Sequence, residues 1–347
     1  MTLDSMRFLD AVEGLPEQLT HAHEVAGAIA PSAFPSADGI QQIIVCGMGG
    51  SGIAGDVLAV SASHELSVPV LVLKQIRTPK YVGPHSLVFA LSYSGDTDET
   101  VSMARGAGEA GARLVCVSRG GELQNVAREF GALHIPCEEG YLPRAALGTL
   151  VAPLFVTLFR MGLLPSAHEA LVSAQEQLAI RRDACAPGID APKNIAKEVA
   201  RKLDRTIPLI YGGGAIGGVA AYRWKCDVNE NAKAPAYSAQ YPELDHNEIC
   251  AWGQHGDVTR QLISIIELRH GFEHEQLGRR FEFTRDIIGE AVHQVLSVQS
   301  AGSTRLAHLL DLMYLGDWVS CYLGLDNDVD PGPIDAIFAL KDRLAAS

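Results

Sequence analysis

The stretches Ile43–Ala59 and Ile207–Arg223 share one plan: a short apolar strand, a run of glycines, and a helix that starts at once. A chain that does this twice is tied to βαβ architecture. Parallel strands need a crossover, usually helical, and glycine permits the tight turn into it. The flanking pattern agrees. Ile43–Cys46 reads as a strand and Ser51–Val60 as a helix, followed by strands at Val68–Leu73 and Leu87–Leu91. A helix over Glu99–Ala110, the strand Leu114–Val117, a helix over Glu122–Phe130 and the strand Leu133–Ile135 continue the series. A second series has a helix from Ile195, the strand Ile207–Tyr211, and apolar strands at Ile249–Trp252, Leu262–Leu268 and Val292–Val298. A long helix over Thr304–Tyr322 lies near the end, and residues 1–30 carry helical spacing at Phe8, Leu9, Val12, Leu15 and Leu19. The expected fold class is α/β, with two doubly wound parallel-sheet domains at 1–180 and 193–347. The segment Arg181–Pro192, with its prolines and glycine, is the expected connection.

In an open α/β sheet, ligands bind at the carboxyl ends of the strands. There the third strand breaks into Leu91-Ser92-Tyr93-Ser94-Gly95-Asp96-Thr97-Asp98-Glu99-Thr100. Hydroxyls, backbone N–H groups and a helix N-terminus together suit a phosphate. An ordinary loop whose hydroxyls cap its own helix has the same composition. The glycine loops Gly47–Gly52 and Gly212–Gly217 both match the G-x-G-x-x-G spacing of dinucleotide binders. That fingerprint also needs an acidic residue at the tip of the next strand, where this chain has Lys74, which disfavours a dehydrogenase and leaves only a cofactor with a 2′-phosphate open. A single terminal phosphate, met by Ser51 and the hydroxyl loop, fits better than a pyrophosphate.

Composition narrows the partners. A net charge of −13 argues against nucleic acid and against an anionic membrane surface, but leaves a small anionic ligand open. Seven cysteines without a Cys-x-x-Cys pair give neither a zinc site nor a disulfide framework; they read as mostly buried thiols of a cytoplasmic protein. The charged start Asp4, Arg7, Asp10, Glu13 lacks a signal-peptide core. Ala146–Leu164 approaches the length of a membrane span, yet Thr149, Pro153, Thr157 and Arg160 interrupt it, so a buried core or interface helix is expected. His270-Gly-Phe-Glu-His274 spells an inverted zinc-protease motif with a glycine in the required helix, and Asp326–Asp330 starts a calcium-like loop that Pro331 breaks. No metal is expected at either.

Gly49-Gly50-Ser51-Gly52 followed by Ser92–Thr100 resembles a sugar isomerase (SIS) domain, and the tandem arrangement resembles the bifunctional phosphoglucose/phosphomannose isomerases over nearly the whole chain. Further matches are Arg144 in Tyr-Leu-Pro-Arg-Ala, the segment Asn229-Glu230-Asn231-Ala232-Lys233-Ala234-Pro235, the segment Glu243–Ile249 around His246, and a late Lys341. One departure is Asp96, where the family often has Asn. The resemblance implies flavodoxin-like SIS domains, a phosphosugar substrate, no cofactor and a homodimer. Gly49, Gly50, Ser51, Ser92, Ser94 and Thr97 would hold the phosphate. Glu230 would move a proton between C1 and C2, a role that suits a partly buried carboxylate; taken alone, it reads as a surface glutamate in a polar turn. By the same resemblance His246 opens the sugar ring from the neighbouring subunit, Arg144 lies over the enediolate, and Lys341 assists at the ring oxygen. Without it, His246 reads equally as a loop histidine satisfied by Asp245 or Glu248, and Arg144 and Lys341 as solvated cations. Trp224 and Trp252 read as core.

Overall fold

β1 (Gln42–Cys46) and β3 (Ser86–Leu91) are the central pair of a five-stranded parallel sheet in a computed structural model that describes residues 3–345. With β2 (Val70–Leu73), β4 (Arg113–Ser118) and β5 (Leu133–Pro136) the order is β2-β1-β3-β4-β5. Every residue of β3, and all of β1 after Gln42, is buried. Helices cover both faces of a sheet like this, so its inner strands read as unbroken apolar runs. Along the chain as far as Cys185 the helices are α1 (Phe8–Glu13), α2 (Leu15–Gly27), α3 (Gly49–Ser61), α4 (Asp98–Glu109), α5 (Gly121–Glu129), α6 (Leu147–Arg160) and α7 (Ala167–Cys185). The strand order reverses between β1 and β3, so the connections leaving their carboxyl ends part to opposite sides and open a crevice.

The second sheet repeats the plan with four parallel strands: β6 (Ile207–Gly213), β7 (Tyr237–Tyr241), β8 (Ile263–Arg269) and β9 (Gln294–Gln299), in the order β7-β6-β8-β9. The helices after Cys185 are α8 (Ile195–Leu203), α9 (Gly214–Asp227), α10 (Gly256–Leu262), α11 (Glu275–Ile288), α12 (Arg305–Asp326) and α13 (Asp335–Ala345). The chain divides into two units. One comprises Gly14–Ile180 with Ala301–Asp311 and holds the first sheet; the other comprises the stretch up to Glu13, Arg181–Ser300 and the stretch from Leu312, and holds the second.

Local chemistry explains where the sequence pattern misleads. Ile249–Trp252 is not a strand but part of a 3₁₀ helix, Glu248–Gly253, because the Asn247 side chain accepts the Glu248 N–H at 2.6 Å and caps it. The fourth strand is instead Tyr237–Tyr241, a half-polar edge strand beside β6. The helical start breaks at Gly14, where Pro16 opens α2. Of the seven cysteines, Cys46, Cys116, Cys137, Cys185 and Cys321 are buried, and burial pushes the thiols of Cys46 and Cys116 up to about 12. Most of α6 is buried, and among the described residues no helix is long and apolar enough to cross a membrane.

In the second unit, α9 and α12 meet at Trp224, which is fully buried and donates its indole N–H to the Leu312 carbonyl at 2.6 Å. The helices approach so closely that a Cβ on Gly316 would fall 2.4 Å from the Trp224 ring. Gly316→Ala therefore overpacks this contact and is expected to lower the unfolding free energy by about 1–3 kcal/mol, read as a fall in the urea midpoint without loss of fold.

Candidate functional site

The crevice of the first unit is built from the turns that follow β1 and β3. Gly47 and Gly52 bring strand end and helix start together: a Cβ on Gly52 would lie 2.7 Å from the Gly47 carbonyl. Gly49 takes φ +51°, a left-handed conformation that costs glycine little. α3 then starts with no side-chain cap, and Ser51 sits in its first turn, nearly buried. Gly50 packs against the next wall of the crevice, for a Cβ there would lie 3.0 Å from the Pro143 carbonyl and 3.4 Å from Arg144 Cα. Arg144 belongs to a 3₁₀ turn, Pro143–Ala145, that leads into α6, and is itself buried.

After β3, Ser92 is buried with its hydroxyl 2.9 Å from Thr97 Oγ1 and 3.5 Å from Ser94 Oγ. Thr97 stands at the N-cap of α4, yet its side chain makes no capping bond. The hydroxyls therefore face one another instead of closing the helix end, against the plain capping reading of this loop. Ser92 and Ser94 do accept the Gly95 and Asp96 N–H groups, which shapes the turn. Asp96 points away from this cluster. Its Oδ1 accepts the Glu122 N–H at 2.9 Å, capping the start of α5, where its charge complements the helix dipole. Gly95, at φ +86°, makes this possible: a Cβ there would lie 1.9 Å from the Gly120 carbonyl.

The second glycine loop keeps the backbone and loses the chemistry. Gly212 and Gly217 meet as Gly47 and Gly52 do, and Gly214 takes φ +59° as Gly49 takes +51°. Counted the same way, Ala215 replaces Gly50 and Ile216 replaces Ser51. The space beside Gly213 is filled by Glu273, whose Oε1 would lie 2.9 Å from a Cβ there. Arg269 holds that carboxylate through its Nε and through Nη2 at 2.7 Å, and the His270 N–H donates to it at 2.9 Å. The His270 ring meets the Gly213 carbonyl, and His274 accepts the Gln276 N–H at the start of α11. The apparent zinc motif thus caps and closes the second loop.

Glu230 lies at the end of α9, where the helix widens into a π turn, Val228–Ala232. Lys233 ends it in the left-handed conformation, φ +53°, its N–H reaching back to the Val228 carbonyl. Wide turns of this kind recur at functional sites. Val228, Asn231 and Ala232 are buried around Glu230, which is half-buried and lines a cavity of about 440 Å³ together with Asn229, Lys233 and the residues leading into α13. His246 stands exposed on the 3₁₀ turn Glu243–His246. Both carboxylates beside it are engaged elsewhere: Asp245 with Arg280 and Thr284, and Glu248 with the Tyr211 hydroxyl at 2.6 Å. Lys341 is exposed on α13. Neither His246 nor Lys341 lines the Glu230 cavity.

Within the first unit, then, Gly49, Gly50, Ser51, Ser92, Ser94, Thr97 and Arg144 gather around one crevice. Glu230, His246 and Lys341 belong to the other unit. A larger cavity of about 660 Å³ in the first unit, lined by His23, Phe159, Arg160 and His168, includes none of these residues.

Residues 192–344 match the bacterial phospho-glucose isomerase C-terminal SIS domain. The chain is 35% identical, over 97% of its own length and 98% of the relative's, to the bifunctional phosphoglucose/phosphomannose isomerase of Caldicellulosiruptor bescii. It belongs to the bifunctional phosphoglucose/phosphomannose isomerase family. A member from Aquifex aeolicus is 30% identical over 87% of the chain and 90% of its own. Among solved structures, the C-terminal domain of glucosamine-fructose-6-phosphate aminotransferase from Francisella tularensis superposes with a TM-score of 0.72 at 15% identity, covering 93% of this chain and 97% of its own, a likeness of fold. SIS domains thus account for both sheets. At Asp96 the carboxylate serves the fold, accepting the Glu122 N–H at the start of α5. Asp96→Ala is expected to cost about 1 kcal/mol through the lost α5 cap, and Asp96→Asn only a few tenths, measured by urea unfolding.

Proposed function

We propose that this chain is a phosphosugar aldose–ketose isomerase that interconverts glucose 6-phosphate or mannose 6-phosphate with fructose 6-phosphate through a cis-enediol. The observation that carries the reading is the hydroxyl cluster after β3, with the uncapped start of α3 after the paired strand β1, in a chain so similar to enzymes of that name. On this reading Ser51, Ser92, Ser94 and Thr97, with the backbone at Gly49 and Gly50, grip the phosphate, and Arg144 beside Gly50 lies over the enediolate. Glu230 is the base that carries the proton between C1 and C2. His246 protonates and deprotonates the ring oxygen and C1 hydroxyl during ring opening, with Lys341 assisting. The reaction is internally balanced: the proton leaving C2 returns at C1, and no external oxidant or cofactor takes part. The enzyme would work as a homodimer in the cytoplasm.

Formation of fructose 6-phosphate followed by a coupled assay is the direct test, and a chain that binds phosphosugar without turnover would be a regulatory protein instead. Glu230→Gln is expected to lower kcat by at least about 10³-fold with phosphosugar affinity within about threefold, because the base acts only in the transition state. Ser92→Ala is expected to do the reverse, raising KM about tenfold with kcat little changed.

His246 supports the dimer, since it is exposed and the neighbouring carboxylates that would have held it are taken. Mixing inactive Glu230→Gln and His246→Gln chains tests this. If His246 acts across subunits, randomly mixed dimers recover about a quarter of wild-type activity; if it acts within its own chain, they recover none.

A further inference from the structure

Behind Glu230 the second unit buries an ion cluster that the proposed chemistry does not use. Arg223, Asp227 and Glu230 follow one another at i, i+4 and i+7, the spacing of a single helix face, as α9 runs into the π turn. Arg223 and Asp227 are 4% and 1% exposed, and Asp317, facing them from α12, is 7% exposed. Arg223 Nε lies 2.9 Å from Asp227 Oδ2, and Nη2 donates to Asp317 Oδ1 at 2.8 Å. The same α12 surface holds the π turn, where Asn231 donates to the Ser320 hydroxyl at 2.9 Å and that hydroxyl donates to the Asp317 carbonyl. A buried guanidinium is costly to place and worth little to stability compared with apolar packing, so such a cluster calls for a role.

We propose that Arg223 is the positioning residue of Glu230: clamped by Asp227 and Asp317, it sets the place and the electrostatic field of the carboxylate one turn further on. The inference rests on Glu230 being the base. Burial opposes the Arg223 charge, but Asp227 and Asp317 outweigh it and Glu230 adds to them, so the guanidinium stays charged. Burial, and after it the neighbouring Asp317, drive the Asp227 carboxyl well above the usual carboxylate range in spite of Arg223. Asp227 from α9 and Asp317 from α12 thus hold the guanidinium from two sides, one turn before Glu230. The other titratable or charged groups around this face are Cys226 and Lys225 on α9, and Lys233, Asp330 and Asp335 around the cavity. The Lys233 ammonium is committed to the Asp330 and Pro331 carbonyls at 2.7 and 3.1 Å.

The test is the acid limb of kcat/KM against pH. Removing the positive charge disfavours ionised Glu230, so Arg223→Gln is expected to move the limb about one unit to higher pH and to lower kcat more than tenfold, with KM within about threefold. Arg223→Lys keeps the charge and is expected to restore the limb and most of the rate. Asp227→Asn with Asp317→Asn leaves the guanidinium without counter-ions and is expected to move the limb the opposite way, to lower pH. A folded Arg223→Gln chain with a wild-type limb overturns the proposal. If that variant does not fold, an unshifted limb in the double Asn variant, or a lysine variant that is folded but as impaired as Glu230→Gln, overturns it instead. Failure of the underlying reading looks different, since Glu230→Gln would then keep its turnover.

Discussion

The close approach of strand end to helix start, Gly47 against Gly52 and Gly212 against Gly217, is the constraint on which both halves of the molecule depend. In each pair a side chain would lie within 2.7 Å or less of the opposite backbone. That contact fixes where α3 and α9 begin relative to β1 and β6. The backbone arrangement is common to both units because packing alone requires it. What the loops hold is decided by a few side chains laid over that backbone. Ser51 and the Ser92–Thr97 hydroxyls leave the first loop polar and open, whereas Ile216 and the Arg269–Glu273 pair close the second with the chain's own carboxylate.

This separation explains what was legible in the sequence. The strands flanking both glycine loops, the parallel α/β class and the hydroxyl crevice follow from local rules: continuous apolar runs, glycine where φ is positive, and hydroxyls at a strand's carboxyl end. Features decided by contacts distant in sequence were not visible. Tyr237–Tyr241 is a strand through its pairing with β6, in spite of its polar residues, and the Ile249–Trp252 run yields to one Asn247 cap. Asp96 looks like a charge set against an anion until α5 is seen to supply the N–H it accepts, 26 residues on. The i, i+4, i+7 row of Arg223, Asp227 and Glu230 was present in the sequence, but its meaning needs Asp317, which α12 brings from 94 residues away.

The two groups of residues also differ in how firmly they are held, and that difference bears on the chemistry. A phosphate grip binds the unreacting end of a sugar, so its energy is the same before and during the proton transfer; it sets affinity and register. It also lies about six bonds from C2, which lets one grip serve epimers that differ only there. The base needs tighter placement, because a misplacement of about 1 Å is enough to lose most of the benefit of proximity. On the proposed reading Glu230 meets that need by its location, on a π turn between buried neighbours and tied to α12 through Asn231. His246, on an exposed 3₁₀ turn, has no such backing within its own chain. On the proposed reading an acid–base group placed so loosely needs ordering from outside the chain, and a second subunit is the simplest structure able to supply it for every copy alike.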